Sequence, residues 1–211
     1  MLTTKAEHQS LNLHLPDYFT NYSDGPTLGT LASPPAGVSG TLLTQTTADA
    51  GRYEKLRIDS VEIDRDDNDL TLSIVPYVKP AEDVRGEYDT NSRDYTTLGL
   101  IPAMKFRGLD SEQADLIESF VPYAVSEADG FADFRDGATK TITLLDRLED
   151  LTLLALDDVC DGLADYREEI ARAAELDAKI ERTDDLIDQI VYELYGLTDE
   201  EIEIVEEAVG D

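Results

Sequence analysis

The sequence predicts an α+β fold: a small mixed α/β region followed by a long C-terminal helical, coiled-coil-like region. Three observations predict it. Residues 57–75 alternate apolar and polar groups around a polar turn, and Ser111–Glu127 carries an amphipathic helical pattern. Residues 156–194 then hold apolar groups at three-four spacing. The chain divides accordingly into an irregular segment 1–50, an α+β region 51–150 and a helical region 151–211.

Pro16, Gly25-Pro26, Gly29, Ser33-Pro34-Pro35, Gly37 and Gly40 punctuate the first segment too densely for long elements. Tyr18, Phe19 and Tyr22 are its expected anchors. Arg57–Ile63 and Leu70–Val75 then read as a β-hairpin joined by a longer loop over Asp66-Asp67-Asn68-Asp69. Thr96–Phe106 is a further strand candidate, ended by Arg107-Gly108. Ser111 opens a helix that Pro122 is expected to kink or divide.

From Leu151 onward the chain reads as helical. Leu163, Tyr166, Ile170, Ile180, Ile187, Val191 and Leu194 lie on one seam, interrupted by Asp177 and Asp184. One unbroken helix is expected to span about 58 Å at 1.5 Å per residue; the alternative is a break near Thr183, with a second helix folding back. Gly196 supplies a left-handed stop, and Thr198 with Glu201 a capping box. Ile202, Val205 and Val209 form one face of the last helix.

Charge narrows the setting. Lys plus Arg number 17 against 47 Asp plus Glu, a formal charge of −30, while apolar residues still reach 41%. Acid spread along a chain able to build a core fits a halophilic protein. At about 1 M salt the Debye length falls to ~3 Å, and self-repulsion is largely screened. The rival reading is an ordinary acidic interaction module. Cys160 excludes an internal disulfide and reads as a small buried hydrophobe. No apolar stretch approaches membrane-spanning length, so a cytoplasmic protein without a membrane partner is expected.

Catalytic constellations are not evident. His8 and His14 are the only histidines, and no Gly-rich phosphate cradle or Gly-x-Ser-x-Gly elbow occurs. Pairs such as Asp157-Asp158 and Asp184-Asp185 are expected by chance at this composition, and Asp177-Ala178-Lys179 reads as a solvated helix face. No metal and no cofactor are expected. The cations are less evenly spread. Nine of the 17 fall between Arg52 and Arg107, interleaved with Tyr53, Tyr77, Tyr88 and Tyr95. Such interleaving suits contacts to phosphates and bases, with Arg57, Lys79, Lys105 and Arg107 the candidate DNA-binding residues. Surface pairing of each cation with a carboxylate is the other reading.

The C-terminal run Ile187-Asp188-Gln189-Ile190-Val191-Tyr192-Glu193-Leu194-Tyr195-Gly196-Leu197-Thr198-Asp199-Glu200-Glu201-Ile202 resembles the closing segment of type II restriction-modification DNA adenine methylases. Lys79-Pro80, Lys105-Phe106-Arg107-Gly108-Leu109 and Leu144-Leu145-Asp146-Arg147-Leu148 are similar in style to haloarchaeal members. In that family such a run follows a target recognition domain. The Gly-rich S-adenosylmethionine loop and the Asn-Pro-Pro-Tyr motif are absent, and Ser33-Pro34-Pro35-Ala36 lacks the amide and the aromatic that hold a flipped adenine. No catalytic residue carries over. The resemblance implies a non-catalytic specificity module, a separate subunit or a truncated fragment. Its partners would be DNA and a methyltransferase or restriction catalytic subunit, or a second copy bound through the C-terminal helix. The alternative is a coiled-coil interaction or regulatory module without DNA binding.

Overall fold

The alternating residues of 53–80 form the two longest strands of the protein, β3 (Tyr53–Asp66) and β4 (Asp69–Pro80), paired antiparallel almost end to end. The computed structural model describes residues 2–127, Phe134 and residues 140–209. Only Asp67 and Asn68 connect the two strands, so the loop is tighter than the sequence suggests. Asp67 takes φ +55°, and its carbonyl accepts from Arg65 Nε at 2.8 Å. A shift between Ile58 and Ser60 bulges β3 midway.

Among the described residues the other α-helices and strands are, in chain order, α1 (Leu2–His8), β1 (Asp24–Thr27), α2 (Leu28–Leu31), β2 (Ala32–Ser33) and α3 (Thr47–Ala50). After β4 come β5 (Thr96–Thr97), β6 (Ile101–Phe106), α4 (Ser111–Ser126), α5 (Leu144–Glu149), β7 (Thr152–Leu154), α6 (Leu156–Tyr195) and α7 (Asp199–Val209). The main sheet runs β2-β6-β4-β3, with β5 also on β4, while β1 and β7 form a separate antiparallel pair. The single strand expected over Thr96–Phe106 is thus two strands.

Two compact units result: Leu15–Leu163, and Met1–His14 with Ala164–Asp211. These boundaries differ from the division at 50 and 150 drawn from composition. Residues 24–33 supply strands to both sheets of the first unit, and 152–154 are extended rather than helical because they pair with β1. Buried Leu15, Phe19, Leu28 and Leu43 anchor the N-terminal segment, whereas Tyr22 is 45% exposed.

In the Leu15–Leu163 unit, alternate residues Leu70, Leu72, Ile74 and Val78 of β4 share the core with Met104 and Phe106 of β6. Ile117, Phe120, Val121 and Ala124 of α4 and Leu144 and Leu148 of α5 are buried with them. Each large side chain contributes roughly 1.5–3 kcal/mol on burial. Asp110, not Ser111, caps α4, accepting from Gln113 N at 2.7 Å while the Gln113 side chain returns to the Asp110 N–H. The helix runs through Pro122 undivided, although proline has no N–H to give the preceding turn.

Asp158, in the first turn of α6, accepts from Ser23 N at 2.9 Å and Ser23 Oγ at 2.6 Å. The hydroxyl bond, then the amide bond, hold its pKa below the ordinary value. A depressed carboxylate contributes stability above the ordinary carboxylate range, and that contribution is lost as pH falls through the folded-state value. Ser23→Ala is therefore expected to move the Asp158 pKa upward in a carbon-detected NMR titration; an unchanged value contradicts the assignment.

The C-terminal seam forms one helix of 40 residues without a break. Thr183 caps nothing: its Oγ donates back to the Lys179 carbonyl at 2.6 Å inside the helix. The two seam interruptions face α1. Asp184 pairs with Lys5 at 3.4 Å and Asp177 with His8 at 3.1 Å, while Arg172 pairs with Glu7. Helix α6 ends as its sequence dictates. Gly196 sits at φ +62° and Leu197 N donates to the Tyr192 carbonyl at 3.0 Å. Thr198 and Glu201 exchange the capping bonds that start α7. The side chain of Val209 lies outside the described residues.

Candidate functional site

The face of the β3–β4 hairpin opposite the core is set by register. Residues directly opposite on antiparallel strands project to the same side. Lys55 stands opposite Lys79 and Arg57 opposite Tyr77, between the inward pair Leu56 and Val78. Tyr77 stacks on Tyr95 with centroids 4.7 Å apart and planes at 17°, and the Arg57 guanidinium lies 5.7 Å over the Tyr95 ring. The loop before β5 is built to hold Tyr95 there. Asn91 donates Nδ2 to the Tyr77 hydroxyl at 2.9 Å and accepts from Arg93 N and Tyr95 N at 2.9 and 3.2 Å.

The cations of residues 52–107 separate into two groups. Lys79 lies 3.1 Å from Glu54 and 3.7 Å from Asp94, and Arg85 lies 3.2 and 3.0 Å from the same two carboxylates. Arg52 pairs with Glu87 at 2.5 Å and donates to the Tyr88 hydroxyl. Burial, then the hydrogen bond between the Tyr53 and Tyr88 hydroxyls at 3.2 Å, pushes the Tyr53 phenol up to about 12. Arg65 ties the hairpin tip to α4 through Asp115 at 2.5 Å and Glu118 at 3.0 Å. Among the described residues, Lys55, Arg57, Arg93, Lys105 and Arg107 carry no ion pair.

Arg57 opens onto a cleft of about 540 Å³ at the β3 end of the sheet, lined also by Lys55, Tyr77, Thr47, Lys140 and Arg147. Arg147 reaches it from α5, whose N-terminus is fixed by a capping box between Thr143 and Asp146. Its Nη2 donates to the Leu56 carbonyl at 2.9 Å, and the residue is 6% exposed. Burial, with repulsion from Arg57, lowers its pKa below the usual guanidinium value. Two carboxylates, Glu54 and Asp59, also line the cleft, and Glu54 already holds Lys79 and Arg85. Four cations against two carboxylates reverse the sign of a chain whose total charge is −30.

No family model, curated protein or solved structure matches this chain. The functional reading therefore stands on the site itself.

The four DNA-contact candidates do not converge. Arg57 lines the cleft, and Lys79 lies nearby but is held by its carboxylates. Lys105 stands opposite Thr71, six positions along β4 from Tyr77, which is about 20 Å at ~3.3 Å per residue, and Arg107 lies beyond it. Sequence reasoning missed Arg147 and Lys140. Arg147 had left a signal: it occupies the Leu144 face of a short helix in Leu-Leu-Asp-Arg-Leu, where a charge must be buried.

In the other unit the seam is uncovered toward its C-terminal end. Tyr166 and Ile180 are half-buried and Leu163 is buried within the first unit, but Ile170, Ile187 and Val191 are exposed and Leu194 reaches 77%. Leu186, Ile190 and Tyr195 are exposed alongside. Cys160 is half-buried rather than buried. Among the described residues no group of three His, Cys, Asp or Glu side chains is placed to hold a metal, and no helix is long and apolar enough to cross a membrane.

Proposed function

We propose that this chain is a non-catalytic DNA target-recognition module of a halophilic restriction-modification methyltransferase system. The single observation that carries the reading is the cationic cleft: Lys55, Arg57, Lys140 and Arg147 line it in a chain of charge −30. Surface cations of an acidic protein default to carboxylate partners, as Arg52, Arg65, Lys79 and Arg85 do. Among the described residues, those at the cleft have no carboxylate partner. Molar salt screens exposed charges within a few ångströms but screens partly buried ones much less. Binding there leans on direct hydrogen bonds, with buried Arg147 the cation least open to that screening, while Lys55, Arg57 and Lys140 are exposed. The exposed stretch of α6 from Leu186 to Tyr195 is the surface offered to a catalytic subunit.

That same apolar stretch favours a second reading, in which the chain is a coiled-coil interaction module and the seam is its whole function. Fluorescence anisotropy of a labelled random-sequence duplex in molar KCl separates the two, run with and without a candidate DNA methyltransferase subunit. Binding that appears or strengthens with the partner is the expected result. No binding in either case, with a stable dimer by light scattering, establishes the interaction module instead.

A further inference from the structure

The cleft holds a buried charge that no described residue answers. Arg147 is 6% exposed, forms no ion pair among the described residues, and keeps its buried Nε–H without a hydrogen-bond partner. Its protein partner is one backbone carbonyl, that of Leu56. A buried guanidinium lacking a counter-charge is strongly destabilising, and a second guanidinium beside it adds to the cost. Arg57, the residue after Leu56 on β3, is that second group. Among the described residues, no carboxylate pairs with either.

Such a pair suits an anion that arrives from outside. We propose that Arg147 and Arg57 form an oxyanion pocket whose ligand is a phosphate group, with Lys140 and Thr47 at its rim. The guanidinium is a rigid fork of N–H donors, which matches two oxygens of a tetrahedral oxyanion and does not match a spherical halide. The pocket therefore selects phosphate even where chloride is molar. The inference rests on the DNA-binding reading for its source, a backbone phosphodiester; free inorganic phosphate presents the same chemistry.

The test uses the full chain in molar KCl, with inorganic phosphate as probe and matched chloride as reference. The side-chain Nε–H resonance of Arg147 is followed by NMR, and a duplex replaces phosphate in a second arm. A saturable shift with phosphate is expected, together with a similar shift on adding duplex. Phosphate affinity is expected to fall about tenfold or more in Arg147→Lys, which keeps the charge but loses the fork, and in Arg57→Gln. Arg57 is exposed, so its variant keeps the test usable if Arg147→Lys fails to fold. A resonance that moves with neither ligand overturns the pocket. Duplex binding with an unmoved resonance overturns the pocket and leaves the DNA reading standing. A saturable phosphate shift without duplex binding upholds the pocket, assigns it free phosphate, and removes the DNA reading.

Discussion

Gly162→Ala is expected to lower the unfolding midpoint sharply, against the direction that helix propensity dictates. An alanine in the interior of a helix ordinarily stabilises by roughly 0.5–1 kcal/mol over glycine. Here a Cβ would overlap the backbone carbonyl oxygen of Tyr18, where the chain passes over α6. The obstacle is backbone, and the flanking Leu15 and Phe19 are buried, so the segment has little freedom to retreat. Overpacking of this kind costs about 1–3 kcal/mol, and contact with main chain belongs at the upper end. Gly86→Ala is the control, since nothing lies within 4 Å of its added Cβ and its φ is not positive. Its effect is expected within about 0.5 kcal/mol. Denaturant unfolding in molar KCl checks both; a neutral Gly162→Ala contradicts the close approach of the two segments.

Arg57→Glu is expected to move stability and DNA binding in opposite directions. Beside the buried Arg147 it removes a like charge and offers a carboxylate, so the folded state gains. At the cleft the same change removes a donor and repels phosphate, and duplex affinity is expected to fall by on the order of tenfold to a hundredfold. Lys79→Gln carries the contrast. That lysine is already engaged by Glu54 and Asp94, and its loss leaves two carboxylates partly served by Arg85, so duplex binding changes little. Parallel unfolding and anisotropy measurements on the two variants read the prediction. Equal losses of affinity would mean that charge in general, not the cleft, governs binding.

Local patterns carried much of the fold into the sequence. The period-two alternation around Asp66–Asp69, the stop at Gly196 and the Thr198–Glu201 cap each became the expected element because a short-range rule suffices for them. Non-local pairing was not legible. Residues 152–154 read as helical because they border the seam, yet β1 draws them into a strand, and the strands of the Pro/Gly-rich segment 24–33 pair with partners more than 70 positions away. Asp177 and Asp184 looked like flaws in a heptad, whereas they receive His8 and Lys5 from the opposite end of the chain.

The site shows the same division. Interleaved tyrosines and cations between Arg52 and Arg107 marked the right stretch, but composition cannot say which cation already has a carboxylate. Arg57 and Lys79 stand two positions apart in the register of the hairpin, on the same face, and have opposite fates, decided by where Glu54 and Asp94 fall. Arg147 enters the cleft from 90 positions downstream of Arg57, a separation that no local pattern bridges.

Backbone hydrogen exchange of the full chain in molar KCl, with and without a saturating duplex, tests the central claim most directly. The cleft account predicts added protection over the N-terminal half of β3, around Asn91–Tyr95 and over α5, with Lys105–Gly108 unchanged. Protection confined to the Lys105–Gly108 end of the sheet, or no protection anywhere in the unit, would contradict it.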